Sequence, residues 1–244
     1  MTATYNFYLV GLSAFIAILT SYTTLELVGW LALSRGVERQ TWLVIGAIVM
    51  GIGIWSMHFI AMLAFSLPIL INYNFLIVLA SLVAAILGAG QALFIISLPI
   101  VNIVTLLAGS ISMGIAIAGM HYIGMAAMEM TADIQYNPQL FALSVAIAIG
   151  VSLVAIKLSF EFREKTDSSS KFWKVISAIV MGVAVLSMHY TGMAAALFKT
   201  NSNKVVEVSD LGNYSLGLLI GVLTVIALGI TLFIGFANSL PEKQ

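Results

Sequence analysis

Met50-Gly51-Ile52-Gly53-Ile54-Trp55-Ser56-Met57-His58-Phe59-Ile60-Ala61-Met62 carries no charge, yet it places a histidine and three methionines inside an apolar run. The pattern returns at Met113-Gly114 with Met120-His121-Tyr122-Ile123-Gly124-Met125, and again at Met181-Gly182 with Met188-His189-Tyr190-Thr191-Gly192-Met193. The unit is Met-Gly, five residues, then Met-His-aromatic-x-small-Met. Its three copies hold all 3 histidines and nine of the 12 methionines. The histidines are 63 and 68 residues apart, a spacing that accommodates two membrane-crossing helices and their connections.

The surrounding composition demands lipid. Apolar residues make up 61% of the 244 and charged residues 8%, against about 25% charged in a soluble domain; mean hydropathy is +1.09. A hydrocarbon core needs about 20 apolar residues per helix. Such stretches span 5–33, 41–67, 75–98, 101–129, 140–160, 174–198 and 214–237, which predicts an all-α polytopic membrane protein of seven helices. The breaks between them are short and polar, and the one at Pro99 is the least marked. The motifs fall on helices two, four and six, so the chain reads as three parallel two-helix repeats plus a seventh helix. Parallel repeats of this kind are related by an axis along the membrane normal.

Basic residues collect in cytoplasmic loops. With the N-terminus outside, Arg35, Arg39, Lys157, Arg163, Lys165, Lys171, Lys174 and Lys243 lie at the cytoplasmic side, and only Lys199 and Lys204 lie outside. The expected C-terminus is cytoplasmic. The first helix lacks a basic flank and a small-residue cleavage site, so it reads as a retained span. At 1.5 Å per residue, each histidine precedes the outer end of its helix by about 14 Å, placing three imidazoles at one level of the outer leaflet. The chain is expected to form a single domain over 1–244 with no soluble output domain, because its polar stretches are only loop-sized.

Zero net charge gives no reason to expect a nucleic-acid partner, and with no cysteine neither a disulfide nor a thiolate ligand exists. Any metal must be held by imidazole, thioether or oxygen donors. On a helix, residues four apart share a face. His58 with Met62, His121 with Met125 and His189 with Met193 are therefore the first candidate ligands, followed by Met57, Met120 and Met188. Met50 and Met57 form a second stripe. The small residue in each motif, Ala61, Gly124 or Gly192, permits close helix approach or leaves room for a small ligand. Imidazole and thioether together suit copper in both oxidation states. Zinc uses three histidines but gives methionine no role. Noncovalent haem with His/Met ligation also fits the inventory. The bland alternative is a duplicated packing unit in which the histidines bond to neighbouring helices and the methionines fill space.

These residues resemble the bacterial MHYT domain, an integral membrane module with seven helices and three such motifs near the outer face, and the resemblance covers practically the whole chain. It implies a bacterial inner-membrane sensor whose copper site detects oxygen, carbon monoxide or nitric oxide, often coupled to cyclic di-GMP signalling. Only Met188-His189-Tyr190-Thr191 matches the name in full; the second copy lacks the threonine and the first lacks both hydroxyls. Tyr122 and Tyr190 are the candidates to orient a bound ligand, and packing or an interhelical hydrogen bond is the other reading of both. A membrane copper enzyme acting on oxygen and a copper acquisition or transport protein are the alternative functions. As a sensor, the chain would signal to a separate protein, with the 161–174 segment as the largest contact surface. Glu26 is expected to pair with Lys157 or another interior base, or to relay a protonation. Gln91 reads as an interhelical hydrogen bonder, and Glu129 and Asp133 as solvated helix ends near a possible metal access route. Oligomeric state is left open.

Overall fold

A computed structural model describes residues 2–164, 168–201 and 213–239. The order is β1 (Thr4–Tyr5), α1 (Phe7–Leu33), α2 (Gly36–Ala64), β2 (Phe65–Ser66), β3 (Asn72–Tyr73), α3 (Phe75–Ile96), α4 (Ile103–Ala126), β4 (Met128–Glu129), β5 (Ala132–Tyr136), α5 (Pro138–Phe162), α6 (Ser168–Ala195), β6 (Ala196–Thr200) and α7 (Asn213–Ser239). Lys165, Lys204 and Lys243 lie outside the described residues.

Long apolar segments become helices because lipid offers backbone N–H and C=O groups no partner, so each segment must satisfy its own. Among the described residues six helices, α1 to α6, are long and apolar enough to cross a membrane. The seventh helix is present, but its apolar described part, Ser215–Gly229, is shorter than a span. The expectation of seven spans is therefore met by six together with a shorter seventh helix. The α1 to α6 helices form a closed ring, each packing on the next and α6 packing on α1, while α7 lies against α2. That cover explains why 78% of the most apolar window of α2 is buried, against 33 to 44% in the other five spans. Thr224 of α7 donates to Ser56 of α2 at 2.7 Å.

Each helical hairpin is clasped at one end by its own strand pair: β1 with β2, β3 with β4, and β5 with β6, all antiparallel. Asn6, Asn74 and Asn137 cap the first helix of each hairpin through their side chains. Their backbone N–H groups donate to Ala64, Ala127 and Ala195 at 2.8, 2.8 and 2.9 Å. Chain ends that leave the helices thus keep their polar groups paired.

The clasps shorten the expected helices. Residues 65–67 and 196–198 belong to strands and connections rather than to α2 and α6, and β4 takes Met128 and Glu129 from the predicted fourth helix. The histidines therefore sit six, five and six residues before the last helical residue (58 to 64, 121 to 126, 189 to 195), about 8–9 Å from the clasped end. Glu129 and Asp133 are strand residues, bonded by Asn74 and Asn201 respectively, and not helix ends. The 161–174 segment is mostly helix, since α5 runs to Phe162 and α6 starts at Ser168.

Glycines join the repeats. A Cβ on Gly51 would stand 2.6 Å from the Ile86 backbone, one on Gly114 2.6 Å from Ile149, and one on Gly182 2.8 Å from Ile18. The glycine of each Met-Gly pair therefore seats a motif helix on the first helix of the next hairpin, and the last joint returns to α1. Gln91 on α3 accepts from Ser112 on α4 at 2.7 Å, an interhelical bond as expected. Glu26 pairs with Lys174 of α6 at 3.3 Å rather than with Lys157.

Candidate metal centre

Helices α2, α4 and α6 bring His58, His121 and His189 to one point, with one ligand nitrogen from each within 4.8 Å of the others. The Nδ1 atoms of His58 and His189 are 3.1 Å apart, and those of His121 and His58 are 3.2 Å apart. The rings stand edge to face, with centroids 4.9 to 5.1 Å apart. All three residues are essentially buried, at 0 to 1% exposure.

Hydrogen bonding alone leaves this cluster short of partners. One Nδ1, that of His58, faces two others, and it offers either a single proton or a single lone pair. The three Nε2 atoms are buried with no hydrogen-bond partner among the described residues. Each such orphan costs about 1–3 kcal/mol. A cation at the convergence of the Nδ1 lone pairs removes the conflict there. The 3.1 and 3.2 Å spacings suit two imidazoles sharing an ion with bonds of about 2.0 Å. The residues present therefore fit a metal.

The small motif residues position the rings. A Cβ on Gly124 would meet His58 Nε2 at 2.4 Å, and one on Gly192 would meet His121 Nε2 at the same distance. The space that the sequence leaves at those glycines is filled by an imidazole of another repeat. Ala61 holds the corresponding position in the first repeat and is fully buried.

One turn from the histidines, Ile54, Ile117 and Val185 line a cavity of about 30 Å³, and one turn further Met50, Met113 and Met181 join its wall with Met57 and residues of α1 and α5. Each motif helix thus presents His, an aliphatic residue and Met at i, i−4 and i−8 to the interior. Met62, Met125, Met193, Met120 and Met188 are buried as well, at 0 to 4% exposure. The structure gathers the Met-Gly methionines around the cavity; their fixed distance from each histidine was the sequence signal for that role. Thr20 of α1 also lines the cavity, and its hydroxyl is buried without a partner among the described residues.

The aromatic neighbours face outward from the histidines. Tyr122 shares a 2.6 Å hydrogen bond with Ser144 of α5. The Tyr190 hydroxyl is buried beside Ser13 of α1 but has no partner in hydrogen-bond geometry among the described residues. In the first repeat Phe59 has no hydroxyl, and Ser81 instead accepts from Trp55 Nε1 at 3.0 Å. Ser13, Ser81 and Ser144 each lie seven residues after a capping asparagine, a recurrence that sequence reading overlooked.

Two stretches, residues 51–109 and 114–168, match the family model described as a bacterial signalling protein N-terminal repeat, MHYT. The chain belongs to the MHYT family. The third motif, at 188–193, lies beyond those matched stretches but repeats the same contacts. Among MHYT-containing relatives, the bifunctional diguanylate cyclase/cyclic di-GMP phosphodiesterase MucR of Pseudomonas aeruginosa is 39% identical over all of this chain and 36% of its own length. The signalling protein YkoW of Bacillus subtilis is 41% identical over 80% of this chain and 24% of its own length. The cyclic di-GMP phosphodiesterase NbdA of P. aeruginosa is 36% identical over 90% of this chain and 28% of its own length. The chain thus spans about a quarter to a third of these curated relatives. No solved structure matches it. The MHYT assignment and the apolar helices together make this a multi-pass membrane domain of the signalling type.

Proposed function

We propose that this MHYT domain is a copper-dependent membrane sensor of a diatomic gas, and that it signals to another protein. The buried convergence of His58, His121 and His189 carries the reading. Their imidazoles would hold the ion, and methionine thioethers on the same helices favour copper over zinc. Copper would supply a redox-active centre with an open position for oxygen, carbon monoxide or nitric oxide. The adjoining cavity of about 30 Å³ admits one molecule of water size, and its wall includes Thr20, whose buried hydroxyl has no partner among the described residues.

Signal transfer rests on the interlocked packing. His58 sits on Gly124 and His121 on Gly192, so a shift of one imidazole presses on the motif helix of another repeat. A ligand changes the output only by binding two helix arrangements with different affinity. We place the clasped ends outside and the hairpin turns in the cytoplasm on the distribution of Lys and Arg, with α7 as the seventh crossing. The names of the relatives make cyclic di-GMP turnover the expected output of the signalling partner.

The test is metal analysis and absorption spectroscopy of detergent-purified protein, wild type beside His58→Ala, His121→Ala and His189→Ala. Copper is expected in the wild type and absent from each variant, and carbon monoxide added to the reduced protein should change the spectrum. Metal content unchanged in all three variants overturns the reading.

A further inference from the structure

The end of the ring opposite the clasps holds a second, chemically different site. A cavity of about 470 Å³ opens there between all three hairpin turns, 34–36, 97–99 and 163–164, well within the usual size for a small-ligand site. Three guanidinium groups line it: Arg35, Arg39 and Arg163. The lining carboxylate is Glu164, paired with Arg163 at 3.2 Å, so the wall carries three positive charges against one negative.

Two of the arginines are held in place by the chain. Arg163 donates to the carbonyls of Ile96, Leu98 and Pro99 at 3.0, 2.7 and 3.2 Å, and Arg39 donates to the carbonyl and hydroxyl of Ser97 at 2.7 and 2.9 Å. Carbonyls orient a guanidinium without neutralising it. Arg35 makes no side-chain hydrogen bond or ion pair among the described residues. It is also the N-cap of α2, where no side chain caps the helix, whereas asparagine caps α1, α3, α4 and α5. The first amides of α2 thus have no side-chain cap at Gly36 on the cavity wall, and Glu38 in the same first turn is the one acidic group there, outside the cavity lining. Two guanidiniums without a carboxylate partner among the described residues, Arg35 and Arg39, stand beside an uncapped helix N-terminus and suit an anion, and planar forked donors match phosphate in particular.

We propose that this cavity binds the phosphate group of an anionic ligand. Its remaining wall is mostly apolar, with Val28, Leu31, Ile96 and Leu98 beside Ser34 and Ser97, so the phosphate belongs either to a lipid headgroup at the membrane face or to a small soluble phosphate compound. Because the cavity touches every hairpin, its occupant would bear on the ring as a whole.

The experiment uses the purified full chain in two arms. In one, protein in nanodiscs of phosphatidylglycerol or of phosphatidylcholine is released into a mass spectrometer and retained lipid is counted. In the other, detergent-solubilised protein is titrated calorimetrically with inorganic pyrophosphate. Wild type is compared with Arg35→Gln and with Arg35→Gln/Arg39→Gln, with helical circular dichroism as the folding control. Selective retention of phosphatidylglycerol identifies a lipid source, and saturable pyrophosphate binding identifies a soluble one. In the productive arm, Arg35→Gln should weaken binding about tenfold and the double variant further. Should the double variant not fold, the single variant decides, since Arg35 supports no other described side chain. The proposal is overturned if neither probe binds the wild type, or if Arg35→Gln binds as well as the wild type.

Discussion

Gly192 follows His189 by three residues, but the ring that fixes its identity is His121, whose Nε2 would lie 2.4 Å from an added Cβ. Gly192→Ala and Gly124→Ala should therefore each displace an imidazole and lower copper affinity at least tenfold. Ala61→Gly, at a position that already tolerates a methyl, should leave metal content unchanged and cost about 1 kcal/mol through helix flexibility. Equilibrium dialysis against copper and thermal unfolding separate the two effects. Thr20→Val removes the unpaired hydroxyl from the cavity wall while preserving shape; it should alter carbon monoxide affinity of the reduced protein and leave copper content unchanged, which spectroscopic titration reads. At the clasped end, Tyr136 of β5 has its hydroxyl pKa pushed up to about 12, first by burial and then by the neighbouring Tyr122. A folded-state pKa above the unfolded value of about 10 means a stabilising contribution that is complete below pH 10 and lost as pH rises toward 12. Tyr136→Phe should therefore flatten the fall in stability across that window, as measured by unfolding at stepped pH.

The helix hairpin with its strand clasp is the repeating element, and its clasped end depends on asparagine. Replacing Asn6, Asn74 or Asn137 with alanine removes a side-chain cap and should cost about 1 kcal/mol each. The three penalties should be similar if the repeats are energetically equivalent, and parallel unfolding measurements decide that. The joints between elements are less forgiving. At Gly182 a valine would meet both Cγ1 and the backbone of Ile18, and the backbone cannot step aside, so Gly182→Val should largely abolish recovery of folded protein. The sequence made the helices legible because lipid imposes a long apolar run on every span, and it made the repeats legible because the Met-Gly and Met-His spacings recur. It did not reveal the clasps: two-residue strands such as Phe65–Ser66 and Met128–Glu129 continue the apolar pattern of the helices before them. Nor did it reveal what the glycines touch, since a glycine marks a close approach without naming its partner.

Across the whole molecule, the direction proposed for the ring from the distribution of Lys and Arg is open to a labelling test. The chain has no cysteine, so single introduced thiols report cleanly. Thr200→Cys on β6 should react with an impermeant maleimide in intact cells, and Gln40→Cys near the start of α2 only after permeabilisation; the reverse result inverts the topology. At this scale the histidine cluster was foreseeable as three stations at one level. The closeness of its nitrogens was not, because the crossing of α2, α4 and α6 depends on joints that only the packed ring displays. The last joint, Gly182 on Ile18, ties the end of the repeat array to its beginning. His58 must therefore wait for His189, 131 positions later in the chain. During synthesis the first hairpin enters the bilayer with a polar ring and no lasting companion. The cluster is born only when α6 arrives, so an aborted or truncated chain carries two of its three imidazoles at most and no closed ring to hold them.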